Sequence, residues 1–110
     1  MLKAIIHINF SSIKRQRQAL NNISNILKED GGDAELIVVC DGEGIALLIK
    51  EESQLVEEVE QLIKAKVRFV ACEISLREKE GELLPGVTKT PSGAVKIISK
   101  QQEGFGYFKP

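Results

Sequence analysis

Apolar residues along this chain follow two rhythms. Leu2 to Phe10 is rich in β-branched residues and apolar on both alternating sets, which predicts a strand covered on both faces. Ser11 and Ser12 then offer N-caps to a stretch in which Ile13, Leu20, Ile23 and Leu27 recur at helical spacing, until Gly31-Gly32 stops the run. Leu36 to Cys40 predicts a second buried strand, Asp41-Gly-Glu-Gly44 a turn, and Ile45 to Ile49 a short, strongly apolar helix. From Ser53 onward, Leu55, Val56, Val59, Leu62 and Ile63 share one helical face, while Glu57, Glu58, Glu60 and Lys64 occupy the other. Val67 to Ala71 predicts a third strand ending at Cys72. Ser75-Leu-Arg-Glu78 has the spacing of a capping box, hence a short helix closed by Gly81. Leu83-Leu-Pro-Gly86 reads as a turn and Val87 to Thr90 as a fourth strand. Pro91-Ser-Gly93 opens a helix carrying Ala94, Ile97 and Ile98, and Phe105 to Phe108 supplies a fifth strand.

Strands separated by helices pair in parallel through right-handed crossovers, with helices on both sheet faces. The predicted class is α/β: a three-layer α/β/α sandwich around a mainly parallel, five-stranded, Rossmann-like sheet. A chain of 110 residues has the length of one ordinary domain, so residues 1–110 are expected to form a single unit. Ligands in such sheets sit beyond the carboxyl ends of the strands. The candidate segments are therefore Asn9 to Ser12, Cys40 to Gly44, Ala71 to Ser75 and Thr90 to Gly93.

Composition narrows the classes. With 43% hydrophobic and 28% charged residues the chain is globular rather than disordered. Its longest apolar runs fall far short of the ~20 residues of a membrane span, so no membrane partner is expected. Met1-Leu2-Lys3 passes straight into a strand without a signal-peptide pattern, which points to the cytoplasm. Fifteen basic against sixteen acidic residues leave a net charge of -1, so no global field draws the chain to nucleic acid. Two cysteines in a reducing compartment are expected to be free thiols.

Cys72 stands where a buried strand reaches the functional rim and where amides of the following turn can stabilise a thiolate, a placement suited to a nucleophile. The alternative is a small buried hydrophobe. Cys40 meets the same positional test, but Asp41 and Glu43 beside it disfavour ionisation. Two cysteines and one histidine without metal-binding spacing make neither a structural zinc site nor any other metal site expected. His7, between Ile6 and Ile8, reads as a hydrogen-bonded core histidine, with a Cys/His pairing open only in space. Asp41-Gly-Glu-Gly44 lacks the third glycine of a dinucleotide fingerprint and carries two carboxylates where a pyrophosphate would lie, so a dinucleotide cofactor is not expected. Asn9 at the rim, with Ser92 and Gly93 at a helix start, offers a small-anion site; a plain helix cap is the simpler role for Ser92. The acidic stretch from Glu51 to Glu60 reads as a solvated helix face.

Several motifs resemble one family. Lys3-Ala-Ile-Ile-His-Ile-Asn9, Ala19-Leu-Asn-Asn22, Val67-Arg-Phe-Val-Ala-Cys72 with Leu76, Leu83-Leu-Pro-Gly-Val87, Pro91-Ser-Gly93 and Gln102-Glu-Gly-Phe-Gly-Tyr-Phe-Lys-Pro110 together resemble the short members of the DsrE/DsrF-like proteins. The resemblance spans nearly the whole chain and is most specific at the Arg-Phe-x-Ala-Cys strand end and the Glu-Gly-x-x-Tyr-x-x-Pro terminus. It implies a Rossmann-like fold, assembly into homo-oligomeric trimers or hexamers, and sulfur relay with protein donors and acceptors. In that relay Cys72 matches the cysteine that carries persulfide or thiosulfonate sulfur, without an organic or metal cofactor. Where the relay subunits have small residues after that cysteine, this chain has Glu73-Ile74. A thiolate therefore requires Glu73 to point away or to be offset by Arg68, Arg77 or Lys89.

Two functions follow as expectations. The first is a small cytoplasmic sulfur-relay protein with Cys72 as acceptor and donor. The second is a non-catalytic oligomeric module that binds a small anion or nucleotide near Ser92 and Gly93. Oligomerisation is expected through the apolar segments Ile45 to Ile49 and Phe105 to Phe108.

Overall fold

In the computed structural model, which describes residues 1–110, the chain runs β1 (Lys3–Ile8), α1 (Ile13–Glu29), β2 (Glu35–Cys40), a 3-10 helix (Gly42–Leu48), α2 (Val56–Lys64), β3 (Arg68–Cys72), α3 (Glu73–Leu76), β4 (Thr88–Thr90), α4 (Gly93–Gln102) and β5 (Gly106–Phe108). The five strands form one parallel sheet in the order β4-β3-β2-β1-β5. This is the α/β/α sandwich expected from the alternation of elements. No helix is long and apolar enough to cross a membrane.

Successive strand residues point to opposite faces, and the sheet uses this to build two unequal cores. Ile6, Ile8, Leu36, Val38, Cys40, Phe69 and Ala71 face α1, α2 and the 3-10 helix in a cluster of 20 buried residues. Ile5, Ile37, Val39 and Val70 face α4 in a second cluster of only 6, completed by Ile97 and Phe105. One side of the sandwich is thus a single helix.

Local chemistry sets the element ends. Ser12 caps α1, its Oγ accepting the Arg15 amide. Ser92 caps α4 in the same way for Val95. The buried Gln16 amide donates to the Phe10 carbonyl at 2.8 Å, which fixes α1 against the end of β1.

Three expectations need correction. The apolar segment is a 3-10 helix that begins at Gly42, rather than a helix over Ile45 to Ile49. Three residues per turn place Ile45 and Leu48 on one side, and both are fully buried. Its register is fixed by Gly44, where a Cβ would strike the Ile8 carbonyl. Consequently Ile45 to Ile49 offers no interface surface: Ile45, Leu47, Leu48 and Ile49 all belong to the larger core. Finally, Ser75 does not open the third helix. α3 starts two residues earlier, directly from Cys72, and Ser75 Oγ instead accepts the Gly42 amide at 2.8 Å, tying α3 to the 3-10 helix.

Candidate functional site

At the carboxyl ends of β1, β2 and β3, Asn9, Asp41, Gly42, Cys72, Ser75, Ser92 and Gly93 line a cavity of about 350 Å³. All four residues singled out from the sequence, Asn9, Cys72, Ser92 and Gly93, therefore meet in one place. A second hollow of about 370 Å³, between α1 and α2, has Leu20, Ser24, Lys28, Leu62 and Ala65 in its wall and contains neither cysteine.

Cys72 is the last residue of β3, and the pleat turns its side chain to the α4 side of the sheet. The Gly93 amide donates to its Sγ at 3.3 Å. Only 5% of the residue is exposed. Burial raises the thiol pKa, yet hydrogen bonds from the Ser75 amide, the Gly93 amide, the Ser75 hydroxyl and the Ile74 amide outweigh it, so the pKa lies below the ordinary thiol value. Glu73 is exposed on α3, and Arg68 is held by Glu35 at 2.9 Å. Backbone donors rather than a cationic side chain thus favour the thiolate.

Cys40 has the opposite environment. It is fully buried in the larger core, and burial, then the charge of Asp41, push its pKa far up. It behaves as a small hydrophobe. Neither cysteine is in a disulfide.

Gly93 is where α4 approaches the sheet. A Cβ there would stand 3.1 Å from Asp41 Oδ2 and 3.2 Å from Val39 Cγ1. The carboxylate of Asp41 and the thiol of Cys72 accordingly flank the same glycine.

Sequence reasoning missed a side-chain chain that ends at Asp41. His7 Nε2 lies 2.8 Å from Asp41 Oδ1, and His7 Nδ1 lies 3.0 Å from the Tyr107 hydroxyl. A carboxylate only accepts, so Nε2 carries the proton, and in the neutral ring Nδ1 accepts from Tyr107. Burial and the nearby Asp41 raise the Tyr107 pKa, which keeps that hydroxyl a donor. His7 is hydrogen-bonded, as expected, but it serves the cavity wall rather than the core. The available signal was register: Ile5 pairs with both Ile37 and Tyr107, so strand alternation already puts His7, Asp41 and Tyr107 on one face.

Asn9 is engaged as well. Its Oδ1 accepts Lys109 Nζ at 2.6 Å, and Lys109 and Arg15 both stack on the Phe10 ring, at 4.7 Å and 3.8 Å from its centroid. Burial and Arg15 lower the Lys109 pKa against the opposing pull of Asp41.

With this geometry in place, the chain compares with two solved structures. It matches the protein of unknown function MTH1491 from Methanobacterium thermoautotrophicum over 100% of both chains, with a TM-score of 0.92 and 28% sequence identity. It also matches the ychN protein from E. coli over 100% of both chains, with a TM-score of 0.83 and 13% identity. The chain shares its fold with both. No protein-family model matches the chain, and no curated protein does. In this chain that fold places the strand-end cysteine and the start of α4 at the same rim.

Proposed function

We propose that this chain is a cytoplasmic sulfur carrier that takes up sulfane sulfur on Cys72 as a persulfide or thiosulfonate and passes it to an acceptor thiol. One observation carries the reading: the thiol at the end of β3 opens into a cavity and accepts the first amide of α4, which favours its nucleophilic form. Transfer between thiols needs a thiolate, a sulfane sulfur and access, and no cofactor. The resemblance of its motifs to the DsrE/DsrF-like proteins is consistent with such a relay, and donor and acceptor proteins are its natural partners.

The reading as a small-anion or nucleotide module finds less support. Of the first four amides of α4, Gly93 donates to Cys72, Val95 to Ser92 Oγ and Lys96 to the Ser92 carbonyl. Three of these four donors are engaged, which leaves only the Ala94 amide at the cavity for an anion.

Intact mass spectrometry under non-reducing conditions tests the carrier, with wild type beside Cys72→Ser after incubation with a sulfane-sulfur donor. A reducible adduct on wild type alone is expected. An adduct that persists in Cys72→Ser, or its absence from folded wild type, overturns the assignment.

A further inference from the structure

The charge of the cavity wall bears on which sulfur donor Cys72 accepts. Among the residues that line the cavity, Asp41 alone is charged. Its Oδ2 faces Gly93, whose amide touches Cys72 Sγ, so a donor that reaches the sulfur also meets this carboxylate. His7 holds the other oxygen at 2.8 Å and is itself braced by Tyr107, which fixes the carboxylate in the wall. Lys109 and Arg15 do not line the cavity: Lys109 donates to Asn9 Oδ1 at its edge, and both stack on Phe10. At the start of α4 the Gly93 amide is taken by Cys72, the Val95 amide by Ser92 Oγ and the Lys96 amide by the Ser92 carbonyl, which leaves the Ala94 amide as the single uncharged donor against a second negative charge.

We propose that Asp41 is a specificity-determining residue which makes Cys72 accept sulfur from thiol-borne persulfides and reject oxyanion donors such as thiosulfate. The inference rests on the carrier reading of Cys72 and takes the sulfur it holds to be a persulfide. With a persulfide, the Cys72 thiolate attacks the outer sulfur of neutral R–S–SH. The new S–S bond forms, the donor's S–S bond breaks, the hydrogen stays on the transferred sulfur, and R–S⁻ leaves with the single negative charge. With thiosulfate, the same attack brings a dianion against the thiolate and releases sulfite, leaving Cys72–S–S⁻. Three negative charges then share the cavity with the Asp41 carboxylate, in a site that has no cation in its lining.

The test compares sulfur loading of the full chain by the persulfide of N-acetylcysteinamide and by thiosulfate, read by intact mass over time. Alkylation by uncharged iodoacetamide serves as the measure of Cys72 reactivity. Wild type is expected to prefer the persulfide by at least about tenfold. With each loading rate divided by the same variant's alkylation rate, Asp41→Asn is expected to raise the thiosulfate rate relative to the persulfide rate by about tenfold, while Asp41→Glu keeps the wild-type preference. Because His7 depends on Asp41 and Asp41→Asn can impair folding, wild type is also measured across ionic strength. Added inert salt should speed loading by the dianion thiosulfate more than loading by the persulfide. Equal rates for the two donors in wild type, a ratio unchanged in folded Asp41→Asn, or no selective effect of salt overturns the role of Asp41. If neither donor loads wild type while iodoacetamide still labels Cys72, the carrier reading fails, and the inference falls with it.

Discussion

Cys40 and Cys72 end neighbouring parallel strands, yet they stand on opposite faces of the sheet. Cys40 pairs with Ala71, one residue before Cys72, so the pleat sends one thiol into the larger core and the other toward α4. A one-residue offset thus separates an inert thiol from an activated one.

Thiol labelling should reveal this difference. Native protein treated with iodoacetamide is expected to incorporate one label per chain, at Cys72, and none at Cys40 until the chain is unfolded. The rate should follow a titration midpoint below the ordinary thiol value of 9.0. Labelling of both cysteines at similar rates in the native state contradicts the assignment.

Gly93→Ala tests the close approach that creates the site. A methyl group 3.1 Å from Asp41 Oδ2 and 3.2 Å from Val39 Cγ1 pushes the start of α4 outward. The expected cost is about 1–2 kcal/mol in urea unfolding. Displacement of the residue 93 amide from Sγ should also move the Cys72 titration midpoint upward in the alkylation profile. An unchanged midpoint in folded Gly93→Ala shows that the amide at 3.3 Å does not govern the thiolate.

Alkaline pH should destabilise the fold through Cys40. Its folded-state pKa lies above the unfolded value of 9.0, so the folded chain holds a proton that the unfolded chain releases. The stability this gives is complete below pH 9 and falls as pH rises above it, by up to about 1.4 kcal/mol per pH unit. In urea unfolding at pH 8 and pH 10, Cys40→Ala should lose less stability than wild type between the two. Parallel losses contradict it.

A homo-oligomer is expected, with α4 and β5 in the contact rather than Ile45 to Ile49. Val95 and Ile98 on α4 are 61% and 56% exposed, and Tyr107 and Phe108 lie exposed on the edge strand β5. A single helix covers this side of the sheet, and its outer face stays apolar, so a second copy of the chain is its natural cover. Light scattering should give a trimer or hexamer, and Val95→Glu with Ile98→Glu should reduce it. A monomeric wild type overturns the expectation.

The sequence disclosed most of the sheet because β1, β2 and β3 are apolar on both faces and each is followed by punctuation: Ser12 as a cap, Asp41 and Gly42 at a turn, Cys72 at the rim. The Ile45 to Ile49 segment was harder, since an all-apolar run shows neither its helical type nor what covers it. Ser75 misled for a related reason. A serine three residues before a glutamate fits a capping box, but here its hydroxyl is taken by a glycine amide 33 residues away in sequence. The His7, Asp41 and Tyr107 chain joins residues 34 and 100 positions apart, a relation that becomes legible only when strand register is added to composition.

The thin α4 layer has a consequence for motion. Its core contains 6 buried residues against 20 on the other side, so local opening should begin there and amide hydrogen exchange should be fastest in α4 and β5. Each such opening uncovers the sulfur of Cys72 and, in the same movement, withdraws the Gly93 amide that sustains its charge. On the proposed reading, sulfur bound to Cys72 is shielded while α4 is closed and reaches larger partners only when α4 opens.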